Sequence, residues 1–196
     1  MSILGGGCRY LSTVRSFISF DVDSEEVIDN IMRVQNVLLE TGADLKLVKP
    51  ENIHVTIKFL GEVPSTMIDN IYEVLRDVSF TPFKIRVKGL GSFPNFKVVR
   101  VVWAGIVEGC EDLREIHLQV ERGLRTLGFK PDPKGFSPHL TIARVRSGRR
   151  RDLLIKCIKR MCDYEFGVVE ARCLRLKKSV LTPRGPVYSV LREVCR

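Results

Sequence analysis

Residues 52–61 (NIHVTIKFLG) and residues 138–145 (PHLTIARV) contain the same pattern, in which a histidine is followed by an apolar residue, a threonine and an isoleucine. The chain has three histidines, and two of them, His54 and His139, begin this pattern. Both stretches are rich in the β-branched residues that favour strands. They therefore predict two similar strands, one in each half of the chain.

The alternation of side chains along a strand gives this spacing its meaning. His54 and Thr56 would share one face of their strand, about 6.5 Å apart at ~3.3 Å per residue. Val55, Ile57 and Phe59 have the opposite parity, and we expect them to face the core. The second copy is expected to behave in the same way.

The four polar side chains of the two copies suit one kind of chemistry. If the strands meet across a cleft, two imidazoles and the hydroxyls of Thr56 and Thr141 surround a volume of the size of a phosphate. A neutral imidazole takes a proton from a nucleophile, and an imidazolium protonates a leaving oxygen. Hydroxyl groups donate to the non-bridging oxygens, where charge develops in the transition state. The repeat therefore predicts acid–base chemistry on a phosphodiester, with His54 and His139 as the catalytic residues.

The third histidine, His117, lies in a predicted helix and has no threonine partner, and we interpret it as an ordinary surface or core residue. A single histidine on a half-buried strand is more often structural than catalytic, so the functional interpretation depends on the repetition. Two histidines without a nearby cluster of carboxylates or cysteines do not complete a three- or four-ligand site. We therefore expect neither a metal nor another cofactor.

The remaining sequence predicts a mixture of helices and strands without strict βαβ alternation. Several strands are joined by short loops, which favours an α+β fold with mainly antiparallel sheets. Residues 91–95 are expected to form a hairpin loop, and residues 166–181 a long β-rich segment. Helices are predicted over residues 23–42, 64–78, 110–127 and 149–161, and strands over residues 16–22, 45–48, 52–60, 83–90, 98–107, 139–145 and 187–194.

Composition limits the class of protein. The chain has 196 residues, of which 44% are hydrophobic, so it can bury a core, and it carries a net charge of +9, which attracts anionic partners such as nucleic acid. No apolar run approaches the ~20 residues of a membrane-spanning helix, and no export signal is evident, so we expect a cytoplasmic protein. The six cysteines contain no Cys-x-x-Cys pair and are expected to be reduced thiols. A disulfide remains an alternative if the source is a hyperthermophile.

Residues 1–14 differ from the rest, with three consecutive glycines and no periodic pattern. We expect them to form a disordered extension, with ordered structure beginning at Arg15. Residues 15–196 are expected to form one domain.

The paired histidine motifs resemble those of the 2H phosphoesterase superfamily. The wider sequence is similar to its RNA 2′,3′-cyclic phosphodiesterase branch, also called 2′-5′ RNA ligase. The resemblance extends from Arg15 to the C-terminus, and the further stretches that carry it are residues 15–22 (RSFISFDV), 89–94 (GLGSFP), 101–105 (VVWAG) and 176–186 (LKKSVLTPRGP) with Tyr188.

This resemblance implies a bilobal fold with two pseudo-symmetric lobes, each presenting one motif strand to a central cleft. It implies metal-independent hydrolysis of a 2′,3′-cyclic phosphate on RNA to a 2′-phosphomonoester. His54 would be the proton donor and His139 the proton acceptor, while Thr56 and Thr141 would hold the phosphate. We expect a monomer that acts on an RNA end, such as one derived from tRNA, or on a cyclic nucleotide, and that has no membrane partner.

Three further residues are candidates for substrate binding. Lys58 shares strand parity with His54, so it faces either the cleft rim or solvent. Arg144 follows the second motif at an odd offset, so it reaches the cleft only through a bulge or at the strand end. Phe136 precedes the second motif and either stacks on a base or packs in the core. The basic run of Arg144, Arg146, Arg149, Arg150 and Arg151 is either an RNA-backbone footprint or a solvated helix start.

Two alternative functions stay open at the level of the sequence. A 2′-5′ RNA ligase would use the same site in the reverse direction. A non-catalytic RNA-binding module would keep the fold without turnover, although such a module has no need of two titratable imidazoles.

Overall fold

The computed structural model describes residues 12–133, 135–183 and 185–196. These residues form nine strands and four α-helices. In chain order they are β1 (Thr13–Asp21), α1 (Glu25–Glu40), β2 (Leu45–Leu47), β3 (His54–Pro64), α2 (Ile68–Arg76), β4 (Phe83–Pro94), β5 (Val99–Glu108), α3 (Cys110–Thr126), β6 (His139–Val145), α4 (Arg151–Arg160), β7 (Glu165–Ala171), β8 (Cys173–Thr182) and β9 (Gly185–Cys195). Short 3-10 turns cover Pro50–Asn52 and Ser65–Met67.

The strands form one antiparallel sheet in the order β7-β4-β5-β6-β3-β1-β8-β9, and β2 pairs with β6. The motif strands β3 and β6 are neighbours at its centre, where Val55 pairs with Leu140. The sheet thus consists of two halves that meet between the two motifs, one of four strands (β3, β1, β8 and β9) and one of four strands with β2 added (β7, β4, β5 and β6). Helices α1 and α4 pack on the half that contains β6, and α2 and α3 pack on the half that contains β3. The predicted α+β, bilobal architecture is confirmed.

The first helix shows how local sequence sets an element. Ser24 caps α1, since its side chain accepts a hydrogen bond from the backbone N–H of Val27. Glu25 and Glu26 lie in the positive first turn, as predicted. The buried face of the helix consists of Val27, Ile31, Val34, Gln35 and Leu38.

Ordered structure begins earlier than the expected boundary at Arg15. Strand β1 begins at Thr13, and the carbonyl of Ser12 accepts a hydrogen bond from the backbone N–H of Ser65 at 2.8 Å. Val14 pairs with Val63 in the same ladder. The prediction of a disordered extension over residues 1–14 is therefore wrong for residues 12–14. Residues 1–11 lie outside the described part of the chain.

The hairpin loop predicted at residues 91–95 lies further along the chain. Strand β4 continues through Pro94, and the turn is formed around Asn95, whose side chain accepts hydrogen bonds from the backbone N–H groups of Lys97 and Val98. Gly91 marks a close approach within the sheet, because a Cβ there would lie 2.1 Å from Cζ2 of Trp103. The glycine that suggested a turn is required by packing inside a strand.

The β-rich segment predicted over residues 166–181 is two strands. It divides at Arg172, after which the chain passes from β7, paired with β4, to β8, paired with β1. Strand periodicity does not record that the two pieces belong to different halves of the sheet. The final strand was predicted correctly, although β9 is longer than expected.

The expectation of reduced cysteines is wrong for one pair. Cys173 and Cys195 form a disulfide between β8 and β9. Cys110, Cys157 and Cys162 are free thiols, and Cys8 lies outside the described residues. In the part of the chain that the structure covers, none of the helices has the length and apolar character needed to cross a bilayer.

Candidate active site

A cavity of about 680 Å³ opens where the two halves of the sheet meet. Both motif histidines and both motif threonines line it, together with side chains from β1, β2 and the β8–β9 hairpin. The structure therefore brings together two pairs of polar groups that lie 85 residues apart in the sequence, as the repeat predicts.

The two imidazoles are held by the same local geometry. Nδ1 of His54 is 2.7 Å from the carbonyl oxygen of Asn52, and Nδ1 of His139 is 2.7 Å from that of Ser137. A carbonyl oxygen only accepts, so each Nδ1 carries a proton and donates it. In the neutral ring the free lone pair is then on Nε2, which is the nitrogen available for proton transfer.

Burial favours the neutral form of both rings. It lowers the pKa of His54 from 6.5 to about 4, with the nearby Lys177 ammonium acting in the same direction, while Asn52 and the Asp21 carboxylate act against it. Burial also lowers the pKa of His139, and the Arg144 guanidinium adds to this effect. The free protein near neutral pH thus presents two uncharged bases to the cavity.

Aromatic side chains pack against each histidine. The His54 ring lies 4.9 Å from Phe17 and 5.4 Å from Tyr188, measured between centroids. The His139 ring lies 4.8 Å from Phe93 in an edge-to-face arrangement. These contacts restrict the rings in the orientation that the backbone carbonyls define.

Both motif strands contain a β-bulge at the same position. The register of β3 with β1 skips Ile57, and the register of β6 with β5 skips Ile142. Each bulge changes the parity of the residues that follow. The fifth residue after each histidine therefore lines the cavity, and these residues are Phe59 and Arg144.

The bulges change where three residues of the motif strands face. The expectations for Phe59 and Lys58 are wrong, and Arg144 faces the cavity as its odd offset allows. Phe59 does not face the core but is 63% exposed in the cavity wall. Lys58 is not at the cleft rim, because it is buried against α3 in an ion pair with Glu121. Arg144 does line the cavity, through the bulge that its odd offset requires.

Phe136 is not among the cavity-lining residues that the structure describes. Its ring stacks on His117, with centroids 4.4 Å apart and an interplanar angle of 9°. Of the two interpretations of Phe136, the packing one is supported. His117 likewise lies against the sheet, with Nδ1 2.9 Å from the carbonyl oxygen of Ile57.

The electrostatics of the cavity suit an anion. Its wall contains four cations, Arg15, Lys46, Lys49 and Arg144, and none of the lining residues that the structure describes is an aspartate or glutamate. The motifs did not reveal Arg15, Lys46 or Lys49, which lie on other elements. Arg15 and Tyr188 do belong to the stretches that carry the family resemblance, and only this resemblance could have pointed to them as cavity residues.

A metal site is not supported by the donor groups at the cavity. Its lining supplies two histidines and neither a carboxylate nor a cysteine, which falls short of the ligand sets of zinc sites. Among the described residues, Cys173, Glu193 and Cys195 form the one cluster of possible ligand atoms. Both of its cysteines are engaged in the disulfide.

Known proteins are similar to this chain in sequence. The LigT-like phosphoesterase family matches residues 22–103 and again residues 106–188, one match around each motif. Two similar proteins, each named RNA 2′,3′-cyclic phosphodiesterase, come from Aeropyrum pernix and Archaeoglobus fulgidus. The first is 40% identical, over 86% of this chain and 96% of its own, and the second is 41% identical, over 91% and 98%.

Solved structures show the same fold. A crystal structure of a Thermus thermophilus protein is 26% identical with a TM-score of 0.76, and covers 92% of this chain and 97% of its own. Escherichia coli LigT complexed with 3′-AMP is 18% identical with a TM-score of 0.77, and covers 93% and 98%. The doubled family match and the two named relatives agree with the paired motif strands, and the chain belongs to the LigT-like phosphoesterase family.

Proposed function

We propose that this protein hydrolyses 2′,3′-cyclic phosphate ends of RNA to 2′-phosphomonoesters. One observation carries the proposal. Two identically held imidazoles, each with Nε2 as the available nitrogen, line a basic cavity whose described lining contains no carboxylate. The relatives named RNA 2′,3′-cyclic phosphodiesterase support the choice of substrate.

The reaction needs one base and one acid. His139 Nε2 takes a proton from water, and the oxygen of that water forms a bond to phosphorus. The bond from phosphorus to the ribose 3′ oxygen breaks, and His54 supplies the proton that this oxygen needs. The assignment of acid and base follows the family resemblance, since the two rings are held alike.

The threonines have a supporting role in this scheme. Thr56 and Thr141 line the same cavity as the imidazoles. Their hydroxyls donate to the non-bridging oxygens, on which negative charge increases as the water attacks. The threonines therefore stabilise the transition state more than the bound substrate.

The lowered pKa of His54 is compatible with the role of acid. In the free protein burial holds this ring neutral. A phosphodiester carries a negative charge, and an opposite charge nearby raises the pKa of an imidazole. Substrate binding thus favours protonation of His54, which then holds the proton next to the oxygen that needs it.

RNA is the substrate that the charge distribution favours. Four cations belong to the cavity wall, and the exposed run of Arg144, Arg146, Arg149, Arg150 and Arg151 extends the positive surface. Cations spaced along a surface bind successive phosphates of a chain. An RNA end, such as one derived from tRNA, therefore fits better than a free cyclic nucleotide. We further propose that the protein acts as a monomer in the cytoplasm.

The proposal is tested by product analysis with 2′,3′-cyclic and 3′,5′-cyclic substrates. The wild-type protein should open the first to a 2′-phosphomonoester, and its activity should persist in EDTA. Loss of an acid or base typically lowers turnover ~10²–10⁴-fold, so His54→Ala and His139→Ala should each do so while RNA binding survives. Arg86→Ala, in an exposed ion pair with Glu165, is the control and should retain full activity.

Several outcomes contradict the proposal. Undiminished hydrolysis by either histidine variant would exclude the mechanism. RNA binding without turnover by the wild-type protein would favour the binding-module alternative. Incubation of cyclic-phosphate ends with 5′-hydroxyl ends measures the reverse direction, and joining faster than hydrolysis would identify a 2′-5′ ligase.

A further inference from the structure

The carbonyl group at the first bulge is held by a helix. Ile57 has no partner on β1, because the register skips it. Its carbonyl oxygen instead accepts a hydrogen bond from Nδ1 of His117 on α3, at 2.9 Å. A buried carbonyl without a partner is costly, so His117 fixes the bulge that directly follows Thr56.

The same cluster reaches the loop that leads into the second motif. Lys58 donates to Glu121 on α3 and also to the carbonyl oxygen of Lys130, at 2.9 Å. His117 stacks on Phe136 in the same loop. The next residue, Ser137, supplies the carbonyl that orients His139. The bulge of the first motif is therefore attached to the segment that positions the second catalytic histidine.

The bulge of the second motif is held in a similar way, by a side chain from α1. Gln35 on α1 is buried, and its Nε2 donates to the carbonyl oxygen of Ile142, the skipped residue of the second bulge, at 2.8 Å. The same nitrogen donates to the carbonyl oxygen of Val48, also at 2.8 Å. Val48 lies in the segment that leads into His54. Each bulge is thus held against the approach to the other motif.

We propose that Gln35 and His117 are positioning residues that set the gap between the two imidazoles. Neither touches the cavity, and each links the strand of one histidine to the segment before the other. A water and a phosphodiester must fit between the rings with reacting atoms in line, and a misplacement of ~1 Å costs about 10²-fold in rate. This inference rests on the proposed function.

The test separates positioning from stability. His117→Phe keeps an aromatic ring for Phe136 but removes the donor, while His117→Asn keeps a donor close to the position of Nδ1. Gln35→Met removes the second donor at similar volume. We expect His117→Phe and Gln35→Met to lower kcat on a 2′,3′-cyclic nucleotide by roughly 10–100-fold, with KM changed less than about threefold. His117→Asn should recover most of kcat.

Val120→Ala is the matched control, because this residue is buried on α3 and its side chain makes no hydrogen bond. It should lower Tm but leave kcat unchanged at temperatures where it is folded. If the two donor variants lose no more kcat than Val120→Ala at equal folded fraction, the proposal is overturned. A raised KM with unchanged kcat overturns it as well.

A second measurement does not depend on turnover. Inorganic phosphate is titrated while the imidazole NMR signals of His54 and His139 are followed. In the wild-type protein both rings should respond with one apparent Kd. In Gln35→Met and His117→Phe the chemical-shift change at saturating phosphate should decrease for one ring relative to the other, because one ring has moved away from the shared anion. A ratio of the two shift changes that equals the wild-type ratio in both variants contradicts the proposal, whereas an inactive wild-type protein contradicts the proposed function alone.

Discussion

The two motif strands are alike where they hold the motif histidines and threonines and different immediately afterwards. From histidine to the sixth residue that follows, β3 and β6 have the same order of buried, partly buried and exposed residues. Both have a bulge at the same place, and both histidines donate to the carbonyl two residues earlier. Four and five residues after the histidine, β3 has Lys58 and Phe59, whereas β6 has Ala143 and Arg144.

This comparison separates two tasks. The shared part supplies a symmetric pair of imidazoles, which by themselves cannot distinguish one end of a substrate from the other. The different part contributes an aromatic ring from β3 and a guanidinium from β6 to the cavity wall. A nucleotide has a base on one side of its phosphate and a charged chain on the other. The difference between the strands therefore gives the cavity a direction.

The largest expected effect concerns Lys58, whose counterpart is Ala143. Lys58→Met would leave the Glu121 carboxylate buried and without its cation, since the two side chains are 4% and 10% exposed. Breaking a buried ion pair in this way costs about 3–5 kcal/mol. Urea denaturation near neutral pH should show this loss in the free energy of unfolding.

The double variant Lys58→Met/Glu121→Leu tests whether the unpaired charge is the cause. Replacement of both members of a buried pair by apolar residues is often close to neutral, so most of the stability should return. If Lys58→Met costs less than about 1 kcal/mol, as exposed ion pairs do, the pair is not buried as described.

A second prediction concerns the different surroundings of the two imidazoles. Folding lowers the pKa of His54 from 6.5 to about 4, so between these values the unfolded chain binds a proton that the folded chain does not. The contribution of His54 to the free energy of unfolding is therefore complete above pH 6.5 and is lost as the pH falls from 6.5 towards 4. The span corresponds to about 3 kcal/mol at ~1.4 kcal/mol per pH unit. Denaturation curves from pH 7.5 to pH 4 should show this decline.

The variant His54→Gln isolates this contribution, because every other titrating group is unchanged. Its stability should fall less steeply over the same pH range. The lowered pKa of His139 acts in the same direction, so part of the decline remains in His54→Gln. Parallel curves for the wild-type protein and the variant would show that burial does not hold His54 neutral.

The sequence predicted the placement of the motif histidines and threonines better than that of their neighbours. A period of two and a repeated tetrapeptide were enough to place two histidines and two threonines on cavity-facing positions. Beyond each threonine, parity failed because a bulge inserts one residue, and a bulge depends on the register with the partner strand rather than on local composition. Lys58 and Phe59 were therefore assigned to the wrong faces, and Arg144 was placed correctly only by allowing a bulge.

In the fold, too, the features that depend on pairing between distant segments could not be predicted from local sequence. Element types followed from periodicity and capping residues, but the division of residues 166–181 at Arg172 depends on which half of the sheet each piece joins. Gly91 suggested a turn, whereas the contact that requires it is with Trp103 on a neighbouring strand. Cations such as Lys46 reach the cavity from separate elements and leave no motif in the chain.

A third prediction addresses the guanidinium side of the cavity. Arg144→Ala should lower kcat/KM on cyclic-phosphate RNA ends by about ten- to a hundredfold, since a hydrogen bond to a charged group contributes ~1.5–3 kcal/mol. Arg146, two residues later, is also exposed but does not line the cavity, so Arg146→Ala is the control for loss of surface charge. Equal losses in the two variants would show that Arg144 acts only through the general positive field.

The smallest expected effect concerns Phe59, the aromatic residue that β3 contributes to the cavity wall. Phe59 is 63% exposed at the cavity, with its ring 6.0 Å from Phe17, so one face is available to stack on a base. Stacking is worth ~1–3 kcal/mol per base, and for so open a ring we expect the lower limit, roughly fivefold in kcat/KM for Phe59→Ala. Phe59→Tyr keeps the stacking surface and should retain the activity.

The substrate provides the sharper control for this pair of residues. A 2′,3′-cyclic ribose phosphate without a base offers nothing to stack on, so Phe59→Ala should match the wild-type protein on it. Arg144→Ala should remain defective on the same compound, because the phosphate charge is still present. If Phe59→Ala is equally impaired with and without the base, its ring supports the cavity wall, and the direction of the substrate is set by Arg144 alone.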